Sequence, residues 1–261
     1  MATITAAQNG NWSATATWAG GVVPGDGDEA RLAGYTVTAD IARIPASGTL
    51  ASIKPLTDAG ASAAGKLVFP MDTLAADVLL DCLLAEGSAD AAYILELTGT
   101  GIGLIWRTTG SVKAGSTATN KRGLSHNSAY CHAIIDGDVT GGNAGADYGV
   151  MFNATGGILT VRGQCIGDNG AGVYHYSGAE SHLNDLIGGS GSINGFGALI
   201  RLGGTYGTMN VTGDLDFRLG PAVCGDSSFI YDPKPGKGIL CCGTNAKRFL
   251  SRSTGILGVG V

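Results

Sequence analysis

The sequence has little charge, few aromatic residues and few prolines. Only 14% of its 261 residues are Asp, Glu, Lys or Arg, and only 7% are aromatic. Its 16 basic residues are outnumbered by 21 acidic ones, so no basic stripe is available for a phosphate backbone and we expect no nucleic-acid partner. The low charge excludes a disordered acidic or basic tail protein. Seven prolines without a Gly-X-Y period exclude collagen.

The chain also lacks a long hydrophobic run. Its longest apolar stretch, residues 75–85, is interrupted by Asp77 and Asp81 and falls short of the roughly 20 residues that a membrane span requires. The N-terminus contains neither the basic region nor the apolar core of a secretory signal. We therefore expect a soluble chain with no membrane partner that is not exported by the standard signal route.

Glycine, by contrast, is abundant and recurs at regular intervals. The chain has 45 glycines among 261 residues, whereas about 7% of an average protein is glycine. Four strand-like runs end at nearly equal spacings, at Gly137, Gly163, Gly189 and Gly213. Three further runs begin between them at a similar spacing, at Gly149, Gly172 and Gly197.

Two interleaved series with a common period of about 25 residues predict a solenoid. A single coil of short strands cannot bury its own apolar face, whereas stacked coils form a continuous core. Gly, Asn and Asp at the turns tolerate positive φ and let the chain change direction. The predicted fold class is all-β: a right-handed parallel β-helix with coils of about 25 residues and an aromatic N-terminal cap.

The pattern divides the chain into three parts. Residues 1–45 are predicted to form an N-terminal capping segment, and residues 46–235 form the β-helix coils. Residues 236–261 are predicted to pack on the helix or on a neighbouring subunit. Within the coils, residues 73–86 fit either one helix face or a pair of buried strands.

Large apolar side chains occur at both ends of the chain. Two of the three tryptophans precede the coils, where they could cover the open end of a solenoid, whose strand edges and core would otherwise be exposed. The C-terminal segment 255–261 is apolar and uncharged, so we expect it to be packed against something. The predicted cap or subunit contacts are Trp12, Trp18, Ile256, Leu257, Val259 and Val261.

Six cysteines stand at Cys82, Cys131, Cys165, Cys224, Cys241 and Cys242. None belongs to a C-x-x-C pair, which excludes zinc-ribbon and thioredoxin-like motifs. The first interpretation is that they are buried, reduced thiols, since a free cysteine behaves as a small hydrophobic residue. The alternative is that they form disulfides once the protein reaches an oxidising medium.

Some carboxylates and arginines could act in polysaccharide cleavage, which uses acidic groups on one lateral face of a β-helix. The candidates are Asp136, Asp138, Asp168, Asp185, Asp214 and Asp216, with Arg162 and Arg201. Several lie near repeat turns, where Asp is an ordinary turn residue. The two pairs of alternate Asp residues lie about three coils apart, too far for the carboxylate separations of ~5–9.5 Å in glycoside cleavage. We therefore expect no catalytic residue and no enzyme.

The histidines and tyrosines give little further indication of a site. The four histidines, His126, His132, His175 and His182, form neither an H-x-x-x-H nor an H-E-x-x-H motif. Neither a metal site nor another cofactor is therefore predicted. The only aromatic indications of a glycan-binding groove are Tyr174, Tyr176 and Tyr206.

The N-terminal block resembles a pattern that opens many β-helical proteins of bacteriophage virions and bacterial surfaces. The pattern Asn-Trp-Ser…Thr-Trp…Gly-Gly…Pro…Gly-Asp…Thr-Val-Thr is carried by Asn11, Trp12, Ser13, Thr17, Trp18, Gly20, Gly21, Pro24, Gly27, Asp28, Thr36, Val37 and Thr38. The resemblance is confined to this block and implies that a β-helix begins here, in a trimeric or surface-displayed particle. Phage tailspikes usually carry an anchoring domain before the helix, whereas this motif starts at Asn11, close to Met1.

These observations lead to a ranked set of functions. The first is a structural bacteriophage protein of the virion, assembled in the host cytoplasm: a capsid cement or decoration protein, as a homotrimer, that binds the major capsid protein or other virion proteins. The alternative is a tail fibre or spike module that recognises a host surface glycan. The third is a polysaccharide lyase or hydrolase, and a bacterial adhesin-like surface protein completes the set.

Overall fold

In the computed structural model, the regular secondary structure is almost entirely β-strand. It describes residues 1–74, 76–88, 90–115, 121–143, 147–168, 170–175 and 180–187, together with the backbone of six later strands. The helical structure in these residues is limited to one short α-helix, α1 (Met71–Leu74), and two 3-10 turns, Thr15–Thr17 and Ala19–Gly21.

The strands, numbered β1 to β25 along the chain, stack in parallel into three rows. Row 1 contains β1 (Thr3–Thr5), β3 (Glu29–Arg31), β6 (Ser52–Lys54), β9 (Leu84–Glu86), β12 (Ser111–Lys113), β15 (Val139–Thr140) and β22 (Leu215–Asp216). Row 2 contains β2 (Gly10–Asn11), β4 (Thr36–Thr38), β7 (Lys66–Pro70), β10 (Tyr93–Thr98), β13 (Arg122–His126), β16 (Tyr148–Phe152), β18 (Val173–His175), β20 (Ala198–Ile200) and β23 (Val223–Gly225). Row 3 contains β5 (Arg43–Ile44), β8 (Val78–Leu80), β11 (Ile105–Thr108), β14 (His132–Ile135), β21 (Thr208–Val211), β24 (Phe229–Tyr231) and β25 (Phe249–Leu250).

Two long strands, β17 (Ile158–Ile166) and β19 (Glu180–Ile187), cross a corner and belong to row 3 at their start and to row 1 at their end. Six complete turns run from β3 to the first part of β19, and we number them turn 1 to turn 6. A turn has about 27 residues, slightly more than the sequence predicts. The predicted parallel β-helix fold is confirmed.

The core is built from inward-facing residues that lie directly above one another in successive turns. The buried row 1 column consists of Ile4, Ala30, Ile53, Ala85, Val112, Val139, Cys165 and Leu186. The main row 2 column consists of Val37, Leu67, Leu95, Leu124, Val150 and Val173. Each fully buried Leu, Ile or Val contributes about 1.5–3 kcal/mol, so stacking supplies the stability that one turn lacks.

The described glycines of the two predicted series lie where the turns approach closely, at the corner between row 3 and row 1 and within row 2. A Cβ on Gly137 would lie 2.5 Å from the carbonyl carbon of Gly110 in the turn below, and Gly163 lies above Gly137 in the same way. A Cβ on Gly149 would lie 2.6 Å from the carbonyl oxygen of Gly172. No side chain fits between backbones at this distance, so glycine recurs once a turn.

One predicted run was aligned with the wrong row. Asp185–Ile187 pairs with Gln164–Ile166 in row 1, whereas Leu159–Val161 pairs with Ser181–Leu183 in row 3. The prediction assumed a constant period, but turn 6 is shorter, because the chain from Leu159 to its stacked partner Ser181 has fewer residues than the chain from Ala133 to Leu159. The pairing of β17 with β19 also shifts register between Val161 and Gln164.

Two other predicted segments can be compared with the observed strands. Residues 73–86 form the end of α1 followed by β8 and β9, so the strand-pair interpretation is right. Strands β3 to β5 lie within the predicted capping segment, residues 1–45, yet they already pair with β6 to β8. Regular stacking therefore begins before residue 46.

Candidate functional site

The corners of the solenoid are held by side chains that bond the backbone of an adjacent turn. Asp26, Asp77 and Asp138 each accept a hydrogen bond from a backbone N–H about one turn later in the chain, at 2.8–2.9 Å. Asn9 accepts one from the N–H of Thr36 at 2.8 Å. Asp138, a candidate carboxylate in the sequence, is therefore engaged in holding turn 4 to turn 5.

Opposite charges on the outer surface bridge every neighbouring pair of turns from turn 1 to turn 5. With N–O distances of 2.6–3.0 Å, the pairs are Glu29–Lys54, Arg43–Asp81, Lys66–Glu96, Glu86–Lys113, Arg107–Asp136 and Asp136–Arg162. Most partners are about one turn apart in the chain, so the signal was present in the sequence as opposite charges at the repeat spacing. An isolated exposed pair contributes at most about 1 kcal/mol, but this series links the turns continuously.

Asp81 is one of these carboxylates and is bonded by three side chains. Burial alone would raise its pKa, but hydrogen bonds from Arg43, Thr49 and Thr109 outweigh burial and lower the pKa below its ordinary value. The charged form is therefore the form that the corner stabilises.

Asp136 lies at the row 3–row 1 corner between two arginines. Arg107 of turn 3 contacts Oδ2 at 2.6 Å, and Arg162 of turn 5 contacts Oδ1 at 2.8 Å. The arginine side chains are 45% and 54% exposed, whereas Asp136 is 18% exposed. One carboxylate thus joins three turns while both guanidinium groups still face solvent. Asp136 and Arg162 were among the residues considered for polysaccharide cleavage, and here they form an ion pair.

Beside this corner, the outer surface of row 3 forms a shallow cleft of about 270 Å³, which we term the row 3 cleft. Its lining residues are Thr160, Val161, Arg162, His182, Leu183 and Asn184. They come from β17 and β19, whose register places Thr160 opposite His182. The cleft therefore presents an imidazole, a guanidinium, an amide and a hydroxyl side by side.

Hydrogen bonds fix the polar groups at the edge of the row 3 cleft. His132 Nε2 lies 2.8 Å from Thr160 Oγ1, and His182 Nε2 lies 3.0 Å from Glu180 Oε1. Burial lowers the pKa of His132, and the charges of His182 and Arg162 lower it further, so the neutral ring is favoured at this edge. The arrangement suits hydrogen bonding to a polar ligand.

Among the other candidate carboxylates, Asp168 and Asp185 are described and do not line this cleft. Asp168 follows β17 at the start of the connection to row 2, and Asp185 lies in the row 1 part of β19. The backbone of Asp216 lies in β22, while Asp214 and Arg201 fall outside the described residues.

Three of the cysteines are buried free thiols at separate places in the core. Cys82 lies between row 3 and row 1, Cys131 between row 2 and row 3, and Cys165 within row 1. Burial raises the pKa of Cys82 to about 12, that of Cys131 to about 11 and that of Cys165 still further. All three thiols are free and have no cysteine partner among the described residues, which agrees with the interpretation of buried, reduced thiols.

The remaining cysteines and the C-terminal contacts cannot be placed in the same way. Cys224 lies in β23, of which only the backbone is described. The residues outside the described part of the chain are Cys241, Cys242, Ile256, Leu257, Val259 and Val261.

Trp12 and Trp18 fill the N-terminal end of the core. Both rings are buried, at 0% and 2% exposure, and they meet edge to face with centroids 4.9 Å apart. The indole N–H of Trp18 donates to the carbonyl of Trp12 at 2.9 Å. Both side chains therefore pack inside the first turns and are inaccessible to a partner subunit.

Two histidines that the sequence left without a role lie inside the solenoid. His126 and His175 face inward in row 2, with 0% and 1% exposure. Tyr174 lies between inward-facing neighbours and is 5% exposed, stacked on Tyr148 with ring centroids 4.4 Å apart. Tyr174 is thus too buried to offer the sugar-stacking surface suggested by the sequence, while Tyr176 and Tyr206 lie outside the described residues.

Other kinds of site were also sought in the described part of the chain. No cluster of three or more His, Cys, Asp or Glu side chains there could hold a metal ion. No helix among those residues has the length and apolarity to span a membrane. The chain matches no family model, no curated protein and no solved structure.

Proposed function

We propose that this chain is a structural protein of a bacteriophage virion that binds the outside of the capsid lattice as a cement protein, working as a homotrimer. The N-terminal resemblance supports the virion assignment. The described carboxylates at the corners support a non-catalytic role, because Asp136 and Asp138 are engaged in contacts between turns.

The observation that carries the proposal is the unbroken series of ion pairs between turns. A cement protein must resist deformation when the lattice beneath it is strained. The pairs from Glu29–Lys54 to Asp136–Arg162 oppose sliding and separation of neighbouring turns on the outer surface, where a solenoid is least supported by its core. A stiff prism of this kind can span and clamp neighbouring coat subunits.

Immunogold electron microscopy of virions from cells that produce the chain tests the proposal. We expect gold label over the capsid, with unlabelled particles when pre-immune serum is used. Label confined to the tail tip would overturn the cement role in favour of the spike role, and absence of label from purified virions would overturn both.

Light scattering of the purified protein tests the homotrimer. We expect a mass three times the chain mass of 26.1 kDa, and a monomer would contradict the trimer.

The row 3 cleft favours a second candidate function, recognition of a host surface glycan by a tail fibre or spike. Its amide, hydroxyl and guanidinium groups are suited to sugar hydroxyls. We expect purified host surface polysaccharide to bind the chain and Arg162→Ala to weaken binding at least tenfold. Lys113→Ala is the matched control, since it removes a half-exposed cation that also bridges two turns but does not line the cleft. Equal binding by both variants would contradict a site in the cleft.

A further inference from the structure

The interior of row 2 contains an unusual column of side chains. Above the apolar residues Phe69 and Leu97, the column continues with His126, Phe152 and His175, each in register with the residue in the turn below. The rings of His126 and Phe152 are 5.0 Å apart between centroids, and those of Phe152 and His175 are 5.1 Å apart. A phenylalanine is therefore enclosed between two imidazoles in the core of turns 4 to 6.

His126 has no good hydrogen-bond partner in this position. Its side chain is completely buried, and neither ring nitrogen makes a hydrogen bond of acceptable geometry. Buried polar groups are normally paired, and a buried unpaired group destabilises the fold because it has lost its hydrogen bonds to water. His175 differs, because its Nδ1 lies 3.3 Å from the hydroxyl of Ser181.

The groups that face His126 give little support to a charge on its ring. Row 2 contributes Leu97 from below and Phe152 from above, which are apolar. The corner to row 3 contributes the Cys131 thiol and, farther out, the His132 imidazole, whose charge would oppose a second one. Backbone groups of Cys131 and Ile158 favour the charged ring but do not offset its burial.

We infer that the His126–Phe152–His175 stack is an acid-operated joint: on acidification, protonation of His126 opens turns 4 to 6 while turns 1 to 3 stay closed. The buried position disfavours a protonated ring, which is better accommodated when the turns separate and water reaches it. Turns 1 to 3 stay closed because the column below His126 continues with the apolar Leu97 and Phe69, which do not titrate.

The change in the opened population with pH follows from the difference between the His126 pKa in the closed form and that in the opened form. Burial lowers the pKa of His126 from its ordinary 6.5 to about 4 in the closed solenoid, while the opened form regains the ordinary value. The opened form therefore binds more protons between these two values, and the closed form loses stability as the pH falls from about 6.5 to 4. Between pH 7 and pH 5 the opened population should rise about 20-fold.

Hydrogen–deuterium exchange of the full chain tests the joint. We expect amide protection, corrected for intrinsic exchange, to fall about 20-fold between pH 7 and pH 5 in β13 and β16 and to remain unchanged in β4 and β7. His126→Phe, which matches the aromatic residues of the column, should abolish the fall. The matched control His182→Gln, which alters a histidine on the outer surface, should leave it intact.

Several outcomes would overturn the inference. One is a fall in amide protection in His126→Phe as large as in the unaltered protein. Another is an equal fall in protection in all turns, and the third is unchanged protection in the unaltered protein. If His126→Phe does not fold, His126→Leu, which matches Leu97, replaces it. NMR titration of the unaltered protein gives an independent test, since a His126 ring that titrates near pH 6.5 in the folded state would also refute the joint.

Discussion

A carboxylate at a corner of this solenoid can accept hydrogen bonds from side chains on more than one turn, as Asp136 does. It accepts from Arg107 of the turn below and from Arg162 of the turn above. Both arginines are about half exposed, so solvent screens much of the attraction. The value of the residue lies in joining three turns through one side chain.

Replacing this carboxylate should have a modest but measurable cost. We expect Asp136→Asn to lower the free energy of unfolding by about 1 kcal/mol, because two charge-assisted contacts become neutral ones. Urea denaturation followed by circular dichroism measures the change. Asp90→Asn, at an exposed position whose carboxylate has no ion pair among the described residues, is the control and should be neutral. An equal cost at both positions would contradict a special role for Asp136.

The thiols provide a second test at the scale of single residues. In a variant with Cys224, Cys241 and Cys242 changed to Ser, the remaining three cysteines are buried and have raised pKa values. We expect Ellman's reagent at pH 8 to modify none of them in the native state within an hour and all three in denaturant. Fast modification of the native protein would show that the core admits the reagent.

The glycine corners show how single positions combine into an element. Gly110, Gly137 and Gly163 stack at one corner because the backbones of three turns meet there without space for a side chain. The regular spacing of these residues, rather than their number, made the solenoid predictable from the sequence.

A methyl group at this corner should be costly. Gly137→Ala would place its Cβ 2.5 Å from the Gly110 backbone, which cannot move aside as a side chain could. We expect the free energy of unfolding to fall by about 2–3 kcal/mol. Gly25→Ala, where the nearest atom is a carboxylate oxygen 4.0 Å away, should change it by less than about 0.5 kcal/mol. Urea denaturation of both variants measures these changes. Equal stability of Gly137→Ala and Gly25→Ala would contradict close packing at the corner.

The limits of sequence-based prediction also lie at the level of elements. The row 2 runs at Gly149, Gly172 and Gly197 were aligned correctly because their spacing stays near the true turn length. The run at 185–187 was not, since the partner that stacks on Leu159 is Ser181, which follows sooner along the chain than a fixed period allows. The ion pairs were predictable from charge spacing, but the row 3 cleft and the unpaired His126 depend on register and depth, which the period alone leaves undetermined.

At the scale of the whole molecule, the question is whether the turns behave as one body. The inward-facing columns run from the first strands to β19 without interruption, and ion pairs bridge turns 1 to 5. A solenoid with strong contacts between neighbours should unfold in one cooperative step at neutral pH, where the histidine joint is closed.

Tryptophan fluorescence can test this cooperativity, because all three tryptophans are buried and report on two regions. Trp106→Phe leaves the pair at the N-terminal end, and the double change of Trp12 and Trp18 to Phe leaves the reporter in turn 3. In each variant, we expect the urea midpoint by fluorescence to coincide with that by far-UV circular dichroism at pH 7. Midpoints that separate in either variant would show independent unfolding of that region.

The variable length of the turns has a practical consequence. The rows remain in register although the chain between stacked partners is short from Cys165 to Leu186 and much longer from Arg43 to Leu79. Extra residues are accommodated in outward connections such as the one closed by the antiparallel bridge between Leu56 and Ser62. Foreign peptides grafted between these two residues should be carried on the outside of an undisturbed rod, which makes the chain a natural platform for display.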